Sequence, residues 1–70
     1  MERHFAVHFS VRKGLGPEWR EKIIEVGFDD IEPHVQEWEI IDMAKAEAKA
    51  ELHRIGYSEQ SYIYKDIHST

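Results

Sequence analysis

The chain predicts a small α+β domain in which a mainly antiparallel sheet of three to four strands packs on one main helix, in the order strand, strand, helix, strand. Three observations carry this. Residues 4 to 13 alternate strictly, with Phe5, Val7, Phe9 and Val11 on one face and His4, Ala6, His8 and Ser10 on the other, the two-residue period of a half-buried strand. Residues 43 to 55 are built largely from strong helix formers, four of them alanine. Tyr62-Ile63-Tyr64-Lys65-Asp66-Ile67 is rich in the aromatic and β-branched residues that favour strands.

The first strand is expected to end at Gly14-Leu15-Gly16-Pro17, where two glycines supply unusual backbone angles and the proline cannot donate to a ladder. Residues 19 to 28 support two readings. Ile24, Val26 and Phe28 alternate like a strand, while Trp19, Ile23 and Val26 follow helical spacing with Pro17 and Gly27 as start and stop signals. The hairpin is the preferred reading. Residues 31 to 41 remain open between helix, through Ile31, Val35, Trp38 and Ile41, and strand, through the composition of 35 to 41; Pro33 suits only the first turn of a helix.

For the helix over 43 to 55, Asp42 is the expected N-terminal cap and Gly56 the left-handed terminator, with Tyr57 folding back toward Leu52. Its buried stripe is expected to be Ala44, Ala48, Leu52 and Ile55, the alanines allowing close approach to the sheet. Trp19 and Trp38 are expected in the core of so small a protein.

Seventy residues accommodate one domain, spanning 1 to 70, near the size at which a single hydrophobic core barely suffices. There is no cysteine, so neither a disulfide framework nor a thiolate zinc site supplements that core. This argues against a secreted mini-protein and for the cytoplasm. The opening Met1-Glu2-Arg3-His4-Phe5 lacks the apolar region of a signal peptide, and no apolar run is long enough to suggest a membrane span.

The net charge of −5 is unevenly placed. Residues 23 to 42 hold seven acidic side chains and no Lys or Arg, whereas Arg3, Arg12, Lys13, Arg20 and Lys22 all lie before them. Nucleic acid is therefore not an expected direct partner, since binding it requires clustered cations to displace counterions from phosphates. The acidic block, with Asp29, Asp30, Glu32, Glu37 and Glu39 as candidate contacts, suits a protein partner with a basic surface; alternatively it is a solvated face that keeps the chain soluble.

Other chemistry lacks the spacing or surroundings it requires. His4 and His8 share a strand face, with His68 a candidate neighbour, but same-face residues repeat about every 7 Å along a strand and His4 and His8 lie two repeats apart. That is too far for one ion whose ligands sit about 2 Å away, so no metal and no cofactor are expected. Glu37 and Glu39 could serve as an acid and base pair only inside a cleft that a thin core has little room to form. The serines lack a nucleophile context, Gly14-Leu15-Gly16 is not a phosphate loop, and no catalytic residue is expected. Tyr62 and Tyr64, on one strand face, are candidates for self-association, because a sheet covered by a single helix leaves one face open; monomer and homodimer are equally compatible with this.

The run from Ile41 to Tyr57, followed by Tyr62 to Ile67, resembles the helix-Gly-Tyr-strand ending of small phage-encoded accessory proteins. The resemblance is one of architecture over the last thirty or so residues. It implies a noncatalytic protein that binds and inhibits or redirects a host machine such as a polymerase, nuclease or defence complex, and it carries over no functional residue. A self-associating structural protein is the alternative.

Overall fold

A computed structural model describes residues 2–70. The alternating first segment forms β1 (Arg3–Val11), and the segment with two readings forms a strand, β2 (Arg20–Phe28), rather than a helix. The two pair antiparallel along their full lengths, from Arg3 opposite Phe28 to Val11 opposite Arg20. Burying Ile24 and Val26 beside the apolar face of β1 requires the two-residue period, and that tertiary demand decides the segment.

The chain then turns through residues 29–36 into α1 (Glu37–Arg54), which is longer than its sequence signals suggest. The ambiguous stretch divides, with residues up to 36 making turns and Glu37–Ile41 joining the helix. Asp42 is accordingly not the cap. Gln36 takes that position, with extended backbone and no side-chain cap bond, while its carbonyl accepts from the Glu39 and Ile40 amides. The extra turn adds Ile40 to the buried stripe, which reads Ile40, Ala44, Ala48 and Leu52; Ile55 falls beyond the last helical residue and is exposed.

The expected terminator is present in full. Gly56 adopts φ of 109°, its amide donates to the His53 carbonyl, and the Tyr57 amide donates to the Leu52 carbonyl. This closes a Schellman motif with Tyr57 packed toward the core. A short 3-10 turn, η1 (Glu59–Ser61), leads into β3 (Tyr62–Ser69), which pairs antiparallel with the free side of β1 and gives the order β2-β1-β3. A register shift between His8 and Phe9 makes a bulge in that pairing.

The core lies between the helix and one sheet face. Phe5, Val7, Phe9, Val11, Ile24 and Val26 meet the helical stripe, and the Phe9 ring meets Tyr62 and Tyr64 edge-to-face at 5.7 and 6.1 Å. Ala44 and Ala48 are completely buried, so the small side chains set how closely helix and sheet approach. Trp19 and Trp38 are not core residues; both are exposed, Trp38 to 65%.

The hairpin connection is fastened to η1. Ser61, 2% exposed, donates its hydroxyl to the Gly14 carbonyl, its own carbonyl accepts from the Arg12 amide, and Arg12 Nε donates to the Gln60 carbonyl. Gly14, at φ of 56°, supplies the left-handed turn between these anchors. At the opposite end Arg3 grips the first helical turn and the Thr70 amide donates to the His4 carbonyl.

Candidate interaction surface

The antiparallel order sorts charge along a molecule whose backbone extends 43 × 19 × 15 Å. The start of β1, the end of β2, the start of α1 and the end of β3 share one end, and the acidic segment falls there. Asp29 and Asp30 follow β2 directly and are exposed, Glu32 is exposed in the turn before Pro33, and Glu37 and Glu39 occupy the first turn of α1. The loop is tightened by bonds from the Ile31 amide to the Asp29 carbonyl and from Val35 to Glu32. Glu37 and Glu39 gain from the unpaired amides and positive dipole end of the helix.

Cations are scarce at this end. Arg3 forms a two-pronged pair with Glu37, at 2.9 and 2.8 Å, which brings the β1 arginine onto the one carboxylate of the segment that it neutralises. That hydrogen bond, reinforced by charge attraction and opposed by partial desolvation, holds the Glu37 carboxyl below its ordinary range and the Arg3 guanidinium above its own. Glu32 lies 3.2 Å from His34. Among the described residues, no Lys or Arg comes within ion-pair distance of Asp29, Asp30, Glu32 or Glu39. The remaining basic residues of the first third, Arg12, Lys13, Arg20 and Lys22, lie toward the far end, where Val11 opposes Arg20 and Phe9 opposes Lys22. Arg12 there covers the Trp19 ring at 4.6 Å, a cation–π contact.

Tyr62 and Tyr64 point toward the helix rather than away from it. Both are half-buried, Tyr62 beside His53 with a 2.9 Å contact between its hydroxyl and Nε2, and Tyr64 beneath the Lys45 ammonium at 4.7 Å. Burial and the nearby Glu59 push the Tyr62 phenol up. Their rings are therefore not presented on the uncovered sheet face. The exposed Trp38 shares helical spacing with Ile41 and Lys45, a flank that sequence reasoning missed because an amphipathic pattern does not separate a core tryptophan from a surface one.

The uncovered sheet face carries three of the five histidines, His4, His8 and His68. His8 and His68 meet edge-to-face at 5.0 Å, His8 Nδ1 lies 3.2 Å from Glu21, His68 Nε2 lies 3.1 Å from Asp66, and His4 stands beside Glu2. Each imidazole faces its own carboxylate. Among the described residues no three such groups converge as metal ligands. Ile23 and Ile63 add exposed apolar surface to this face.

Along the outer side of β2 runs an open groove of about 780 Å³, lined by Ile24, Val26, Phe28 and the helix carboxylates Glu47 and Glu51. Glu51 pairs with Arg54 on its own helix and is held below the ordinary carboxylate range by that bond, whereas Glu47 has no such partner among the described residues. Among the described residues no helix is long and apolar enough to cross a membrane. Comparison with protein-family models, curated proteins and solved structures found no match to this chain.

Proposed function

We propose that this protein is a noncatalytic interaction protein whose acidic end binds a basic surface on a protein partner, in the manner of small phage-encoded inhibitors. The observation that supports this best is the gathering of Asp29, Asp30, Glu32 and Glu39 at one end with no Lys or Arg counterion among the described residues, while Arg3 pairs with Glu37 and with none of these four. Uncompensated carboxylates project a field that speeds encounter with a positively charged partner and discriminates against acidic ones. The exposed Trp38, one position from Glu37 and Glu39, adds the kind of aromatic anchor that concentrates binding energy. The site of action is the cytoplasm in this reading, and the partner is protein rather than nucleic acid.

The test is affinity capture from host lysate by the wild-type chain and by a variant carrying Asp29→Lys, Asp30→Lys and Glu32→Lys. The expected result is a basic protein retained by the wild type at about 0.1 M salt, where charges act over about 10 Å, and released near 1 M, where the range falls to about 3 Å. The triple variant should fail to retain it at either salt. Equal capture by both chains at both salts would exclude the electrostatic mechanism. These residues lie outside the core, so the variant is expected to fold.

A further inference from the structure

The two edges of the sheet are unlike. β3 is bulged against β1 and carries Lys65 and Asp66 at the irregularity, features that turn an edge away from further strands. β2 is charged as well, at Arg20, Glu21, Lys22 and Glu25, but it has neither bulge nor proline: it is nine residues long and pairs with β1 without a register shift. Among the described residues no strand lies beyond it. A row of backbone donors and acceptors is thus left open beside the groove formed with Glu47 and Glu51.

The charges on β2 select what can pair there. Arg20 and Lys22 project on the helix-facing side at one half of the strand, and neither has a carboxylate within ion-pair distance among the described residues. The other half borders the acidic groove. The strand is therefore complementary to itself when reversed. In an antiparallel pairing of two copies about a twofold axis, the helix-covered faces stay on one side only when the register is centred on a residue. Centring on Lys22 opposes lysine to lysine, centring on Ile23 opposes Glu21 to Glu25, and centring on Glu25 opposes glutamate to glutamate, all like-charge pairs that destabilise a sheet. Centring on Val26 avoids like charges but pairs only residues 24–28, whereas centring on Ile24 pairs the whole of β2, residues 20–28, and opposes no like charges. It sets Lys22 against Val26, which lines the same groove as the other copy's Glu47, and Arg20 against Phe28, the residue before Asp29.

From this we infer that the protein forms a homodimer in which β2 pairs with β2 of a second copy, centred on Ile24, to give one continuous six-stranded sheet. Each contact between Lys22 and Glu47 then occurs twice. The inference goes beyond the proposed function; the two surfaces meet only at Asp29, and substitutions at Lys22 and Glu47 leave the acidic end unchanged, so either can fail without the other.

Light scattering on the wild-type chain should give twice the 8.3 kDa chain mass at high concentration, falling toward the single-chain value on dilution. Lys22→Glu and Glu47→Lys, each measured alone, should both remain at the single-chain mass, because each homodimer would bring two like-charge contacts together. Mixed in equal amounts, they should recover the dimer, because both contacts then pair opposite charges. Circular dichroism of each variant checks the fold. Hydrogen exchange on the wild type supplies a reading free of substitutions: amides on the outer side of β2 should gain protection as concentration rises. A wild type that stays at the single-chain mass at every concentration, a dimer indifferent to both reversals, or a mixture that fails to associate would overturn the inference.

Discussion

Arg3 and Asp42 show how a residue's role follows from where neighbouring elements end. The Arg3–Glu37 pair exists because β1 begins where α1 begins. Since the folded Glu37 carboxyl is held below its ordinary value of 4.5, chiefly by the Arg3 hydrogen bond, the folded chain binds that proton less tightly than the unfolded chain. The stabilisation is present above 4.5 and disappears as pH falls through the lowered folded value. Glu37→Gln should therefore reduce the melting temperature slightly at neutral pH, with the difference from wild type closing under acid; a difference independent of pH would contradict an ionic contribution. Both side chains reach water, Glu37 to 59%, which keeps the effect small. Asp42, which sequence reasoning makes a cap, lies inside the helix. Asp42→Ala should be neutral or stabilising by up to about 0.7 kcal/mol in denaturant unfolding. A loss of about 1 kcal/mol would instead mark it as a cap.

At the scale of elements, what was legible in the chain depended on how many signals agreed. β1 and the helix terminator at Gly56 each had several consistent cues, and both stand as the residues suggest. β2 carried two periods at once, and pairing with β1 selected one. The helix start was not legible, because Gln36 makes no side-chain cap bond and Asp42 offered a better local signal; Ile40 contacting the sheet outweighs that preference. The tryptophans were misplaced for a related reason, since helical spacing assigns them to an apolar face without saying which flank the sheet covers. The stripe of Ala44 and Ala48 makes a separate demand on packing. Ala48→Leu should cost about 1 to 3 kcal/mol through overpacking, roughly 4–8 °C in melting temperature per kcal/mol, whereas Ala50→Leu on the exposed side should stay within about 0.5 kcal/mol. Equal effects at the two positions would contradict the helix orientation.

For the whole molecule, the alternation of strand directions gathers the acidic segment at one end, while Arg12, Lys13, Arg20 and Lys22 lie toward the other, where Glu18 and Glu21 accompany them. The acidic block was legible as composition, but its confinement to one end and the capture of Glu37 by Arg3 are products of topology that no local pattern announces. The same topology leaves β2 open as an edge of the sheet. The most direct measurement of the central claim is the association rate of the captured partner with the wild-type chain across ionic strength. Steering by the acidic end predicts a rate that falls steeply as salt rises while dissociation changes little, and a flattened dependence for the chain carrying Asp29→Lys, Asp30→Lys and Glu32→Lys. An association rate indifferent to salt, and unchanged by those three substitutions, would contradict it.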